Sequence, residues 1–339
     1  MAFSNRVLTT TQTELWDKVQ DTFLNSNVLA TRLMSAPKKW SGRQIEKPVK
    51  VTGNSSFTIF SGMQTLPNAP VDTRQKMVWD PTFAAIPVSL PLTEIAVNDT
   101  TARVIDLMAV ELESSVQDAA DAMGTQLYGN GLGDGSNFAG LGYLIDDGTV
   151  SATIGGLSRT TYPTLSSTVT ALSGGVLSLA NIATGFDAPT SGSIRPTLIP
   201  TTKAVASLYE KLLTPQDRIN KTVTFTKDKR HGGAGYQTAD FRGVAIVADE
   251  KCTSGQFIFL NEDVINWYAL TMPMAKSMSV KGPDIEGNDY GNVSDMGFSW
   301  SDWIKPTNAA GVVSQIYVAG QFIAENPKRC AKLTGATTT

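Results

Sequence analysis

From Val104 onward, apolar residues recur in steps of three and four, at Leu107, Met108, Leu112, Val116, Ala119, Ala120, Met123 and Leu127. That spacing places them on one stripe of an α-helix. Asn98, Asp99 and Thr100 offer capping side chains before it, and Gly129 offers a left-handed stop after it. A helix over about 99–128 is a rod of roughly 45 Å, some three times the usual globular length. With only one apolar stripe, such a rod suits a frame element better than a compact active-site scaffold. It empties into Gly129, Gly131, Gly133, Gly135, Gly140 and Gly142, which break regular structure around Asn137–Asp146.

At 339 residues the chain holds two or three ordinary domains, or one elongated domain with insertions. Its 41% hydrophobic content predicts a folded protein, while 17% charge falls below the usual quarter. Few charges among many Gly, Ser and Thr imply surface buried against something besides the chain's own core. A net charge of -3 argues against binding nucleic acid through phosphate contacts. Met1–Trp16 has neither the basic nor the apolar region of a secretory signal. No run approaches the roughly 18 apolar residues of a membrane span. Cys252 and Cys330 are too few and too far apart for a disulfide framework or zinc site, and read as buried or semi-buried free thiols.

Residues 1–40 are polar, with a thin helical pattern from Thr11 to Leu33 through Leu15, Val19, Phe23 and Leu24. They read as an arm that needs another surface to order it. From Ser41 to Leu92 the period becomes two: Val49 with Val51, Phe57 with Ile59, and Met77 with Trp79 on the return. Ser61–Pro70 between them is rich in turn formers. The expectation is a long two-stranded hairpin with a wide tip, which cannot stand alone in water and should lie on another subunit. Val88, Leu90 and Leu92 predict one more strand, feeding the long helix. Beyond the glycines, Gly155–Pro163 reads as an irregular connector and Thr164–Ala183 as a weak helix. Arg195–Pro200 predicts a short strand, and Thr201 caps a helix through Leu213 that Pro215 ends. Lys221–Gln237 reads as an exposed loop. Val244–Val247, Phe257–Leu260 and Trp267–Leu270 predict strands of one α+β unit, followed by Val312–Ala319 as a strand and a polar tail.

No catalytic constellation emerges. His231 is the only histidine, set in a charged loop without a Gly-x-Ser-x-Gly elbow. The glycines at 129, 131, 133 and 135 follow a helix rather than a strand and lack a Gly-Lys-Ser/Thr ending, so they read as a turn between packing elements. Asp146 and Asp147 supply one ligand set rather than a cage, and read as a capped surface turn. Glu111 and Glu113, two apart on a helix, point to different faces and form no acid–base pair. Trp300 and Trp303 offer a sugar or base platform, against the commoner role of core or interface anchors. Catalytic, cofactor-binding and metal-ligating residues are therefore all assigned as none.

Arm, long hairpin, spine helix, glycine turn, inserted α+β unit and returning strand occur in an order that resembles tailed-bacteriophage major capsid proteins, the Hong-Kong-97-type shell fold. Asn137–Ile145 looks like the family's Gly-Leu turn, and Gly155–Pro163 like its connector. Pro196–Lys203 with Leu208–Leu213 looks like its axial strand–helix pair, and Val312–Ala319 with Gly320–Arg329 and Lys332–Gly335 like its closing strand. The resemblance implies an α+β fold: N-terminal arm 1–40, extended hairpin loop 41–80, peripheral domain 81–165 and 290–339 with the spine helix, and axial domain 166–289. It implies a structural protein, not an enzyme, without cofactor. Its expected partners are copies of itself in hexamers and pentamers, closing an icosahedral shell around double-stranded DNA contacted non-specifically. The expected location is the virion capsid, assembled in the host bacterial cytoplasm, without a membrane partner.

A separate scaffolding protein, or the removal of a fused scaffolding region, is expected, since some forty residues precede the hairpin where some relatives carry a long scaffolding region; a portal is expected too, and a decoration protein is left open. Lys47, Lys50 and Lys76 lie where part of this fold group cross-links, but no matching acid and amide are evident, so they read as solvated hairpin lysines. An encapsulin-type nanocompartment shell is the near alternative. A soluble hydrolase or carbohydrate-binding protein using Trp300 and Trp303, or a phage tail protein, is the distant one.

Overall fold

The structure, a computed structural model, describes residues 27–34, 36–98, 107–213, 240–270, 276–280 and 293–337. The start of the expected arm helix, the caps Asp99 and Thr100, Pro215, the Lys221–Gln237 loop and His231 lie outside the described residues.

The fold is α+β, built on two six-stranded sheets, with strands numbered here in chain order. The first sheet runs β1 (Lys38–Trp40), β12 (Ile265–Leu270), β15 (Gly311–Ala324), β14 (Val293–Trp300), β13 (Lys276–Val280). In the same sheet β4 (Thr82–Pro91) pairs along β15, from Thr82 opposite Gly320 to Pro91 opposite Gly311. The second sheet runs β7 (Thr168–Ala171), β16 (Ala331–Thr334), β11 (Phe257–Phe259), β8 (Leu198–Thr201), β10 (Val244–Ala248), β9 (Asp240–Phe241). Among the described residues two ribbons complete the strands: β2 (Ile45–Lys50) with β3 (Arg74–Trp79), and β5 (Thr153–Ile154) with β6 (Leu157–Ser158).

The long helix is described over Leu107–Tyr128, 22 residues, or about 33 Å at the helical rise. Ala119, Met123 and Leu127 are buried along it, as the stripe predicts. Gly129 does end the helix, but not as a left-handed residue. The positive φ values fall on Gly133 and Gly135, and the Gly129 N–H donates to the Gln126 carbonyl at 3.0 Å. Close approach explains the other glycines of the cluster. A Cβ on Gly140 would meet the Gly129 carbonyl oxygen at 1.9 Å, and one on Gly131 the Phe138 carbonyl oxygen at 2.1 Å. Only glycine lets the 138–142 backbone lie against the end of the helix.

Two cores form, and the second sheet lies between them, giving Leu198, Val247 and Ile258 to the first and Ile199, Ile246 and Phe257 to the second. The first gathers the helix stripe, Trp79, Leu141, Leu144, Trp267, Phe298 and Phe322, with the Trp267 and Phe322 ring centroids 4.6 Å apart. The second packs helices Leu179–Asp187 and Lys203–Leu212 on its sheet through Ile182, Phe186, Val205 and Tyr209, against Ile199, Phe257 and Phe259.

Several local expectations are corrected. The arm does not wait for a partner throughout: a helix over Val28–Met34 buries Leu29, Ala30, Leu33 and Met34 in the chain's own core. Arg32 forks onto Glu262 with two 2.9 Å bonds, and the Asn27 amide donates to the Ala120 carbonyl at 3.1 Å. Leu92 begins a short helix, Leu92–Asn98, because its pairing partner β15 starts only at Gly311. Gly155 and Gly156, both at positive φ, turn a two-residue hairpin inside the supposed connector.

Thr168–Ala171 is a strand parallel to β16, and the helix begins after Ser178, whose hydroxyl accepts from the Asn181 N–H. Thr201 belongs to β8, donating to the Gln256 carbonyl at 2.7 Å, so the cap passes to Thr202. Trp267–Leu270 joins the first sheet, not the unit holding β10 and β11. The polar tail is interior: β15 runs on to Ala324 and β16 lies between β7 and β11.

Candidate assembly surface

The β2–β3 ribbon divides into two parts with opposite chemistry. Its base is clamped to the body. Met77 and Trp79 are both buried on either side of half-buried Val78, Trp79 edge-on to Tyr143 at 6.2 Å. The Val78 N–H donates to the Gly155 carbonyl at 2.9 Å, and the Thr164 hydroxyl to the Val51 carbonyl at 2.9 Å.

One carboxylate joins the arm strand, the ribbon and the first sheet. Glu325 Oε1 accepts from Lys38 Nζ and Lys47 Nζ, each at 2.9 Å, and from the Tyr268 hydroxyl at 2.8 Å. Both amines also lie over the Tyr268 ring, 5.5 and 5.1 Å from its centroid. Partial burial pushes the Glu325 carboxyl up, but the bonds from Lys47, Lys38 and Tyr268 outweigh it and hold it down at about 2. Burial pulls the Lys47 amine down, and Tyr268 and Glu325 more than offset this, leaving it raised.

The tip behaves differently. Regular pairing stops after Lys50 and Arg74, and the Val51 N–H closes on the Thr73 carbonyl at 3.0 Å. The expected strand alternation at Phe57 and Ile59 is absent, since no strand forms between 51 and 73. From Val51 to Val71 there is no charged residue. Phe57, Ile59 and Met63 are 88%, 85% and 108% exposed. Single exposed apolar residues are ordinary on a protein surface, but a contiguous apolar patch marks an interaction site.

No protein-family model matches the sequence, and no curated protein is similar to it. Solved structures are. The capsid asymmetric unit of cyanophage A-1(L) superposes with a TM-score of 0.71 at 17% identity, covering 99% of this chain and 100% of that one. The holo-SrpI encapsulin complex from Synechococcus elongatus gives 0.62 at 10% identity, covering 100% and 97%. The capsid of Myoviridae phage XM1 gives 0.58 at 9%, covering 99% of each.

This is the tailed-phage capsid fold.

Within the capsid fold the residues weighed for chemistry have structural work. Asp146 is buried, not at the surface: its carboxylate accepts from the N–H groups of Gly148, Val150 and Ser151 at 3.0–3.2 Å. Asp147 is exposed and bonds to Thr149. Burial pushes Asp147 up, but the Thr149 hydroxyl and N–H turn the net shift downward. Lys47 is ion-paired rather than solvated, Lys76 pairs across the ribbon with Glu46 at 2.8 Å, and Lys50 is exposed. Trp303 packs half-buried against the first core. Trp300 lies in β14 opposite Ile316, and its side chain is outside the description, as is that of Glu113; Glu111 is exposed. Cys252 and Cys330 are buried free thiols, each pushed up to about 12 by burial. No helix of the described residues is long and apolar enough to cross a membrane.

Three positions escaped the sequence reading. Glu325 is one. Asp249 is fully buried and accepts from the Leu29 N–H at 3.3 Å and the Tyr128 hydroxyl at 3.1 Å, joining the arm helix to the end of the long helix. Burial raises its pKa despite the N–H groups of Lys251 and Leu29 and the Tyr128 hydroxyl. Gln321 accepts from the Ala139 N–H at 2.6 Å and donates to the Thr82 hydroxyl at 3.0 Å, stitching the glycine turn to the first sheet. The available signal was small: a polar residue inside an apolar run, as with Gln321 before Phe322-Ile323-Ala324.

Proposed function

We propose that this chain is a shell-forming capsid protein whose activity is association with copies of itself. The observation that carries this reading is the uncharged tip, with Phe57, Ile59 and Met63 in solvent, on a capsid fold whose body anchors only the base of the ribbon. Burying such residues against a neighbour contributes about 1.5–3 kcal/mol each, which one chain alone cannot obtain.

In finer detail, residues 1–40 form the arm and 41–80 the extended hairpin. Residues 81–165 and 290–339 form the peripheral domain, and 166–289 the axial domain around the capsomer centre. Copies gather into hexamers and pentamers and close an icosahedral shell around double-stranded DNA, in a virion assembled in the host cytoplasm. A scaffolding protein and a portal are the other partners. The near-neutral balance of the chain supports a wall that lets nucleic acid pass without clamping it. A second reading, an encapsulin-type compartment, is favoured by the likeness to the Synechococcus elongatus encapsulin over the whole chain.

Electron microscopy of the expressed protein after size-exclusion chromatography tests both. Shells, partial shells or capsomer rings are expected. Closed shells co-purifying with an enzyme cargo favour the compartment. A monomer or dimer under every condition removes the assembly reading.

A further inference from the structure

We infer that Pro87 and Pro91 guard the free edge of β4, stopping the first sheet from extending into the same edge of a second copy. The benefit of such a guard rests on the shell reading above, but the device lies within one strand and is tested on the unassembled chain.

β4 is bonded along one side. The Leu92 N–H donates to the Ala310 carbonyl at 3.0 Å, and in an antiparallel ladder the residues bonded to one neighbour recur at every second position. Ala84, Ile86, Val88 and Leu90 therefore face β15. Val313 and Gln315, which stand opposite Ser89 and Pro87, confirm this alternation by turning the other way. Val313 exchanges two 2.8 Å bonds with Ile304, and the Gln315 carbonyl accepts from the Ser301 N–H at 2.9 Å. The backbone groups of Phe83, Ala85, Pro87, Ser89 and Pro91 are left pointing off the sheet, and among the described residues no strand pairs with them.

An open edge of this kind is a template for another strand. The other described sheet edges are short or charged. β1 has three residues, with Lys38 and Lys39, and β9 has two, with Asp240. β13 opens on Lys276, and β7 has four residues. β4 has ten residues and no charge. Its protection is proline, which has no N–H to donate and carries a ring where the hydrogen would lie. Both prolines fall on the outward row, where the missing N–H takes nothing from the β15 ladder. They also isolate Ser89, so the run left free is Phe83 and Ala85, too short to hold a strand pair. Two copies pairing by this same edge would form a closed two-fold dimer rather than a ring, and would withdraw subunits from a shell.

The double variant Pro87→Thr/Pro91→Thr restores both N–H groups on a strand-forming residue. In size-exclusion chromatography with light scattering of the unassembled full-length protein, dimers and larger irregular species should appear at a concentration about tenfold lower than for the parent, the effect of one or two added hydrogen bonds. Amide exchange at Phe83, Ala85 and Ser89 should slow in that associated fraction; association without such slowing overturns the proposal.

Pro87→Lys/Pro91→Lys restores the same N–H groups but sets charges along the edge, and should associate no more readily than the parent. A threonine variant that behaves as the parent overturns the proposal. So does a lysine variant that associates like the threonine one, since the prolines would then act through chain stiffness alone. Should the double threonine variant fail to fold, Pro87→Thr by itself decides through the same comparison. Unsubstituted protein that never forms shells overturns the shell reading and leaves this test intact.

Discussion

The base and the tip of the β2–β3 ribbon are adjacent in sequence yet obey different rules. At the base, Met77 and Trp79 enter the first core, and Lys47 finds the carboxylate of Glu325, just past the end of β15. Between Val51 and Asp72, ladder, charge and burial are lost together. The base is stabilised by its own chain, so its residues should report on folding. Among the described residues the tip has nothing of its own chain to lean on, so its residues should report on association. The arm's described root, buried on the long helix, follows the rule of the base.

The sharpest challenge to this contrast is Trp79→Ala, which empties a fully packed site and should cost about 3–5 kcal/mol in urea unfolding. A loss below about 1 kcal/mol would mean that the base is as loosely held as the tip. Next comes Glu325→Gln. The pair with Lys47 is partly exposed, side chains 30% and 33%, so solvent screening limits the loss at pH 7 to about 1 kcal/mol. Its folded pKa lies below the ordinary carboxylate value, so this stabilisation is complete above that ordinary value and is lost as pH falls toward about 2. Unfolding of the two proteins at pH 7 and pH 2.5 should therefore converge at the acid end; a constant difference would place the effect in packing, not charge.

Phe57→Ser should shift the stability of the unassembled chain by no more than about 0.5 kcal/mol, as for other surface sites, while raising the concentration required for assembly. A large loss of chain stability would erase the distinction between base and tip. Smallest of all, Lys76→Ala removes an exposed cross-strand pair with Glu46, side chains 57% and 51% exposed. It should move neither unfolding nor assembly measurably, typical of surface ion pairs.

Much of the frame was legible because its signals are local. The helical stripe through Ala119, Met123 and Leu127 needs only a count of residues per turn. Leu198–Thr201, Val244–Ala248 and Phe257–Phe259 stand out as short apolar runs between turn formers. Thr168–Ala171 was misread because its alternation of Thr with Val and Ala is weak, and the true helix start is fixed by the hydroxyl cap of Ser178, well beyond the strand. The supposed polar tail misled for a different reason. Lys332 looks like a solvent residue, but its amine is buried and donates to the Gly142 carbonyl at 3.1 Å, with Asp146 and Asp147 acting on it electrostatically. The candidate surface was half legible: an unsupported hairpin was readable, its clamp was not.

By itself the sequence determined the α+β class, the long helix, the glycine break, the free thiols and a hairpin with a wide tip. These follow from periodicity and residue chemistry within a few positions of each other. The tertiary structure alone decided which sheet β12 and β16 join, that the arm's root is buried, and that Lys47 meets Glu325 across 278 positions. Sheet membership and ion pairing depend on distances between segments that chain connectivity leaves free, so they exist only once the two cores have closed.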